Sequence, residues 1–286
     1  MSLRLARRSV ASLGRTPRSV AAPLFCAGMV HPFIADTGGF STTAGATAHT
    51  KGSWVQLTAS LSSQASLIGV MVSGVYTAAT DTSTLVDIGI GASGSETVIV
   101  PNLAVGGYGG APPLIWVPVR IPSGSRIAAR CQSIVAGKTS VSVRIWAFTN
   151  AEPSRVPTAV EAIGSNTSTS AGVAMSGSSG TWVEITSATA SDYQALTVVP
   201  SCSATAGNNG PWRLSLGVGA AGSEVELSSS FVEQTGNPLI QQTGSFTIGN
   251  MLSGISIPAG SRLAVKHNIS TNPGRISAMI LGVPNV

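Results

Sequence analysis

The chain contains itself twice. Gly52-Ser53-Trp54-Val55-Gln56-Leu57-Thr58 returns as Gly180-Thr181-Trp182-Val183-Glu184-Ile185-Thr186. Gly89-Ile90-Gly91-Ala92-Ser93-Gly94-Ser95-Glu96 returns as Gly217-Val218-Gly219-Ala220-Ala221-Gly222-Ser223-Glu224. Ile121-Pro122-Ser123-Gly124-Ser125-Arg126-Ile127-Ala128 returns as Ile257-Pro258-Ala259-Gly260-Ser261-Arg262-Leu263-Ala264. The first two blocks are displaced by 128 positions and the third by 136. Three blocks in one order at nearly one offset mean a tandem duplication. Solenoid units run about 20–50 residues, which this period exceeds. Domains cluster near about 100–150 residues, so each copy is long enough to close its own core.

The pattern within each copy is strand, turn, strand. Val141, Val143, Ile145 and Ala147 alternate with Ser142, Arg144 and Trp146, the period of a half-buried strand. Trp54–Thr58, Leu85–Ile90, Thr97–Val100, Leu114–Ile121 and Arg126–Cys131 read the same way. In the second copy so do Trp182–Thr186, Leu196–Val199, Leu214–Val218, Val225–Phe231, Arg262–Ile269 and Arg275–Val283. No helical stripe is sustained in the body. Regularly spaced short strands predict an all-β chain of two tandem antiparallel β-sandwiches, with jelly-roll topology preferred, preceded by an extended basic N-terminal arm. The arm takes residues 1–40, the first sandwich 41–150, a proline-bearing linker 151–164 and the second sandwich 165–286.

Charge is scarce. Asp, Glu, Lys and Arg make up 9% of the chain, against about 25% in ordinary soluble proteins. Surfaces stay soluble through abundant mixed charge, so a weakly charged exterior predicts one covered by neighbours. Aromatic residues are 5%, which leaves the core to Val, Ile, Leu and Ala. No apolar run approaches the roughly 18 residues of a membrane helix, so no membrane span is expected. The net charge of +5 has one address: Arg4, Arg7, Arg8, Arg15 and Arg18 precede the first acid, Asp36. Of 16 basic residues these five leave eleven, which the eleven acidic residues balance. An anchoring arm is the preferred reading. Packing on the chain's own body is its plainer form, and an organelle transit peptide is the minor alternative. A basic arm also suits a phosphate backbone, with nucleic acid the lesser partner.

Gly89-x-Gly91-x-x-Gly94 and Gly217-x-Gly219-x-x-Gly222 match a dinucleotide fingerprint, which needs a helix after it. A strand sequence follows instead, so the glycines predict a hairpin turn. Glu96 and Glu224 recur in register, as do Arg126 and Arg262, and predict a cross-strand ion pair in each copy. The alternative is a catalytic or metal carboxylate paired with Asp87. Its counterpart is Ser215, so such a site is confined to the first copy. Trp54 and Trp182 recur as well, and core packing is expected of them. Trp116, Trp146, Trp212, Tyr76, Tyr108 and Tyr193 supply aromatic surface for a sugar-stacking platform. Cys26, Cys131 and Cys202 lack metal spacing and read as free buried thiols. No His31, His49 or His267 sits in a nucleophilic constellation, and no cofactor or enzymatic activity is expected. Between the second and third repeated blocks the second copy is eight residues longer. That variable interval offers Tyr108, Asn237 and Gln241 as recognition loops.

The run Asp87–Glu96, followed by Pro118-Val119-Arg120-Ile121-Pro122-Ser123-Gly124-Ser125-Arg126-Ile127-Ala128-Ala129-Arg130-Cys131-Gln132-Ser133, resembles β-rich virion proteins of tailed bacteriophages, of the fibre, spike and head-decoration kind. The resemblance covers both copies and not the arm. It implies a non-enzymatic structural component of the virion. Such a component docks through its arm on other virion proteins and assembles with itself through sandwich faces, with a trimer among the expected orders. Two other readings share the fold class. One is an adhesin binding a host surface glycan. The other is an icosahedral coat protein whose arm meets nucleic acid.

Overall fold

The structure, a computed structural model, describes residues 39–73, 84–105, 114–139, 141–148, 155–165, 172–175, 178–202, 210–234, 251–268 and 276–286. Among them are strands and no α-helix. In the first copy these are β1 (Phe40–Thr42), β2 (Val55–Thr58), β3 (Leu67–Ser73), β4 (Thr84–Ile90), β5 (Thr97–Val105), β6 (Leu114–Val117), β7 (Ile127–Ser133) and β8 (Val141–Phe148). After β9 (Glu161–Ile163) come β10 (Val173–Ala174), β11 (Trp182–Thr186), β12 (Tyr193–Cys202), β13 (Gly210–Val218), β14 (Val225–Gln234), β15 (Met251–Ile257), β16 (Leu263–His267) and β17 (Ile276–Pro284).

The sheet orders are β1-β8-β3-β6 and β2-β7-β4-β5 in the first copy, and β10-β17-β12-β15 and β11-β16-β13-β14 in the second. Renumbered within each copy these are one and the same connectivity. Two antiparallel four-stranded sheets connected in that order make the eight-stranded jelly roll, a double Greek key. The register agrees to the residue. Val55 pairs with Ala129 as Val183 pairs with Val265. Both edge strands skip a residue at the same place, Leu57 and Ile185. A bulge bends a strand and re-aims the extra side chain, and both of these residues are buried.

Each sandwich is filled from alternate positions of its facing strands. Ile68, Val70, Val72, Val86, Ile88, Ala129, Cys131, Val143 and Ile145 meet in the first. Leu196, Val198, Leu214, Leu216, Val265 and Ile280 meet in the second. Tyr193 is the one aromatic residue among the largest fully buried side chains, the rest being Ile, Leu and Met. The expected strand Leu114–Ile121 ends at Val117. Pro118 interrupts it, and Ile121 returns only as an isolated bridge to Ala65.

The segment read as a linker is partly structure. Glu161–Ile163 forms β9, which pairs β17 beside β10, so the first edge strand of the second sandwich comes in two pieces. Three residues show no periodicity, and their partner lies more than a hundred residues away. The same segment fastens the copies together: Arg120 N donates to Pro157 O at 2.7 Å and Val160 N to Ile99 O at 3.0 Å.

A joint between the sandwiches follows from β12 and β17. On these strands Leu196, Val198, Ala278 and Ile280 point into their own core. The alternate residues Ala195, Val199, Met279, Leu281 and Val283 point the other way, into a cluster continuous with the first sandwich. The strand they cover is β5, the edge of its sheet. Ala104 N of β5 reaches Met279 Sδ at 3.0 Å. An uncovered edge is a template for unwanted pairing. Here the outer face of the second copy and the segment before it cover the edge of the first.

Candidate functional site

Ion pairs among the described residues gather at two places on the β2-β7-β4-β5 sheet and on its counterpart, β11-β16-β13-β14. The first is the β4–β5 turn and its twin. Gly91 and Gly94 have φ of 125° and 82°, and Gly219 and Gly222 have 127° and 78°, a backbone that favours glycine. The fingerprint glycines therefore form hairpin turns followed by strands, with no helix to hold a pyrophosphate. Arg126 Nη1 meets Glu96 Oε1 at 2.7 Å, and Arg262 Nη1 meets Glu224 Oε1 at 2.8 Å. The same guanidinium groups donate to Gly91 O and Gly219 O. The Glu–Arg pairs are thus present in both copies, but each closes a turn from a residue just before β7 or β16 rather than facing its partner across a ladder. Gly94 N adds a bond to Glu96 Oε2 at 2.9 Å. Burial works against the charged form of Glu96, yet Arg126 and these backbone donors hold its carboxyl below the usual glutamate value. Glu224 is lowered in the same way, by backbone donors and Arg262 against burial.

The second place is the outer face of the sheet. Trp54 and Trp182, expected in the core, lie there half-buried. A Cβ on Gly89 would stand 2.7 Å from Trp54 Cη2, and one on Gly217 2.6 Å from Trp182 Cη2. Each indole therefore lies across a glycine, because any larger residue would lift it. A cation sits over each ring, Arg130 at 4.5 Å from the centroid of Trp54 and Lys266 at 4.3 Å from that of Trp182. Register explains the error: Trp182 pairs Lys266, which pairs Ser215, so all three share the outward face.

The acid that balances the cation differs between copies. In the first it is Asp87, whose side chain is 4% exposed. Its Oδ1 accepts from Lys51 Nζ and Asn102 N, both at 2.8 Å, and its Oδ2 accepts from Arg130 Nε at 2.9 Å. Burial pushes the Lys51 ammonium below the ordinary lysine value although Asp87 pulls the other way. In the second copy Ser215 replaces Asp87, and Glu226 on the next strand pairs both Lys266 and Arg213 at 2.8 Å. Val98 stands in the first copy where Glu226 stands in the second. Asp87 and Glu96 therefore serve different cations and do not form a two-carboxylate site.

Other candidate residues fall elsewhere. Tyr193 is fully buried and its hydroxyl donates to Glu161, so it belongs to no sugar platform. Trp116 and Phe148 meet with centroids 5.0 Å apart and ring planes tilted by 57° on the outer face of the β1-β8-β3-β6 sheet. Cys131 is a buried free thiol, raised by burial above its ordinary value. Tyr76, Tyr108, Asn237, Gln241, His31, Cys26, Arg4, Arg7, Arg8, Arg15 and Arg18 lie outside the described residues, as do the side chains of Trp212 and Cys202. Among the described residues no three His, Cys, Asp or Glu side chains gather as a metal site, and no helix is long and apolar enough to cross a membrane. The arrangement locks turns, pins indoles and presents sheet faces.

A scan against protein-family models and a search of curated proteins return no match to the chain.

Sequence reasoning missed Lys51, Asn102, Arg213 and Glu226, because no repeat marks them. It also missed the joint, although a signal was there. Ala278-Met279-Ile280-Leu281 is an uninterrupted apolar run, a mark of a strand buried on both faces.

Proposed function

We propose that the chain is a non-catalytic structural component of a tailed-phage virion, of the fibre, spike or head-decoration kind, that works by assembly. The supporting observation is the use of an outward sheet face as a contact surface. Ala195, Val199, Met279, Leu281 and Val283 are buried against a neighbouring sandwich and lie outside their own core. A face built in that way is a means of joining sandwiches. The clamps and Trp–cation pads hold Asp87, Glu96, Glu224 and Glu226 in ion pairs, which supports a mechanical role for these acids. The jelly roll is common to capsid proteins and lectins, and fold alone does not choose among its uses. The indoles of Trp54 and Trp182 already carry a cation over the ring, which leaves the glycan reading with less support.

The test is the mass of the purified chain by sedimentation equilibrium, with and without residues 1–38. The expected result is a defined multimer for the full chain, with the arm supplying part of its stability or its docking to other virion proteins. A monomer for both at every accessible concentration refutes the reading.

A further inference from the structure

The joint between the two copies uses an edge of the first and a face of the second. The first copy also owns that face, and the second also owns that edge. Pairing register fixes the equivalence. Met71 pairs Arg144 as Val199 pairs Met279, Gly69 pairs Trp146 as Thr197 pairs Leu281, and Leu67 pairs Phe148 as Ala195 pairs Val283. The outer face of the β1-β8-β3-β6 sheet thus carries Leu67, Met71, Trp146 and Phe148, with Leu114 and Trp116 from the neighbouring β6. These side chains are half-buried, where their counterparts Val199, Met279 and Leu281 are fully buried. The second copy's edge strand, β14, corresponds to β5. It pairs only β13 among the described strands. Val225 at its start is 63% exposed, and Leu227 stands half-buried where the first copy has the buried Ile99.

We propose that the joint inside the chain is used again between chains: β14 of one chain seats on the outer face of the β1-β8-β3-β6 sheet of a second copy. The inference rests on the assembly reading and says which surfaces perform it. The occupant is a second copy because the chain already contains this edge and this face, joined to each other. The contact is heterologous, edge to face, so it closes into a ring or extends as a filament.

Sedimentation velocity on full-length chains tests this. Met71→Lys places a charge on the face, Leu67→Lys is a second face variant, and Val225→Lys places a charge on the edge at an exposed position. Thermal unfolding within a few degrees of wild type certifies that each variant is folded. The expected result is a wild-type multimer and loss of that multimer in each variant. An equimolar mixture of Met71→Lys and Val225→Lys chains should give a dimer and nothing larger. There the intact edge of the first meets the intact face of the second and the chain of contacts stops. Folded variants that keep the wild-type mass, or a mixture without dimer, overturn the edge-to-face joint and leave assembly through other surfaces standing. A monomeric wild type overturns both the joint and the assembly reading.

Discussion

Gly217→Ala isolates one contact with little else disturbed. The backbone at Gly217 has no positive φ, so the substitution meets no conformational penalty of its own. The new methyl carbon would stand 2.6 Å from Trp182 Cη2, 2.8 Å from Cζ3 and 3.1 Å from Cζ2, well inside contact distance. The indole must lift, which takes it from under Lys266. Overpacking of this kind costs about 1–3 kcal/mol, and a partly exposed cation–π contact adds about 0.5–1 kcal/mol. A loss near 2 kcal/mol follows. The decisive measurement is a double-mutant cycle in urea denaturation. In a Trp182→Ala background the three nearest neighbours of the methyl group are gone, and alanine in a strand interior is favoured over glycine by about 0.5–1 kcal/mol. Gly217→Ala should then be neutral or stabilising. The coupling between the two sites is therefore about 2–3 kcal/mol. Equal costs in both backgrounds would refute the account of the glycine, and Gly89→Ala with Trp54→Ala repeats the experiment in the first copy.

Two further outcomes are expected. Asp87→Ser installs the second copy's residue in the first and leaves Lys51 and Arg130 without their acid. The loss should be about 3 kcal/mol, the lower end for a broken buried pair because both cations reach water. Adding Val98→Glu, which imitates Glu226, should recover part of it by the same denaturation assay. Glu96, Glu224 and Glu226 all titrate below their ordinary value of 4.5 in the folded chain. A depressed folded value means the unfolded chain binds protons first as acid is added. Stability from these groups is complete above pH 4.5 and declines as pH falls through the lower folded values. Urea midpoints between pH 6 and pH 3 should show that decline, and Glu96→Gln with Glu224→Gln should flatten it.

The duplication and the strands were readable because repetition and local alternation mark them, whereas the jelly-roll order was only a preference and rests on pairings between distant segments. Alternation marks Val141–Phe148, and Gly91 with Gly94 marks a turn whose Glu and Arg recur together. The errors share a different cause. Trp54 was placed in the core because an aromatic residue recurring in register looks structural. Only the register of β2 on β7 shows that it faces outward, over Gly89. Tyr193 looked like surface because polar residues surround it, yet its ring fills the space above Gly282, where a Cβ would stand 2.5 Å away. The network of Lys51, Asp87, Asn102 and Arg130 joins four separate segments. Its assembly depends on the bulge that gives Asn102 its φ of 45°, and no spacing rule reaches that far.

The differences between the copies record the joint. What they share lies on the β2-type sheets: the same bulge, the same turn clamp, the same indole under a cation. Apart from the acid that balances each cation, the differences described above lie where one copy touches the other. Arg144, Trp146 and Phe148 in the first stand where Met279, Leu281 and Val283 stand in the second. Ile99 and Ala104, both buried, lie on the β5 edge that the second copy covers. Two sandwiches held by a slack tether would have no reason to differ in this pattern, since each would meet only water on its outer faces. Charge on the second copy's outer face is incompatible with burial against β5. The first copy's face, which keeps an arginine among its aromatics, suits a contact that forms after folding rather than during it. Permanent interfaces are more apolar than those that exchange partners, and that is the order in which these two faces stand.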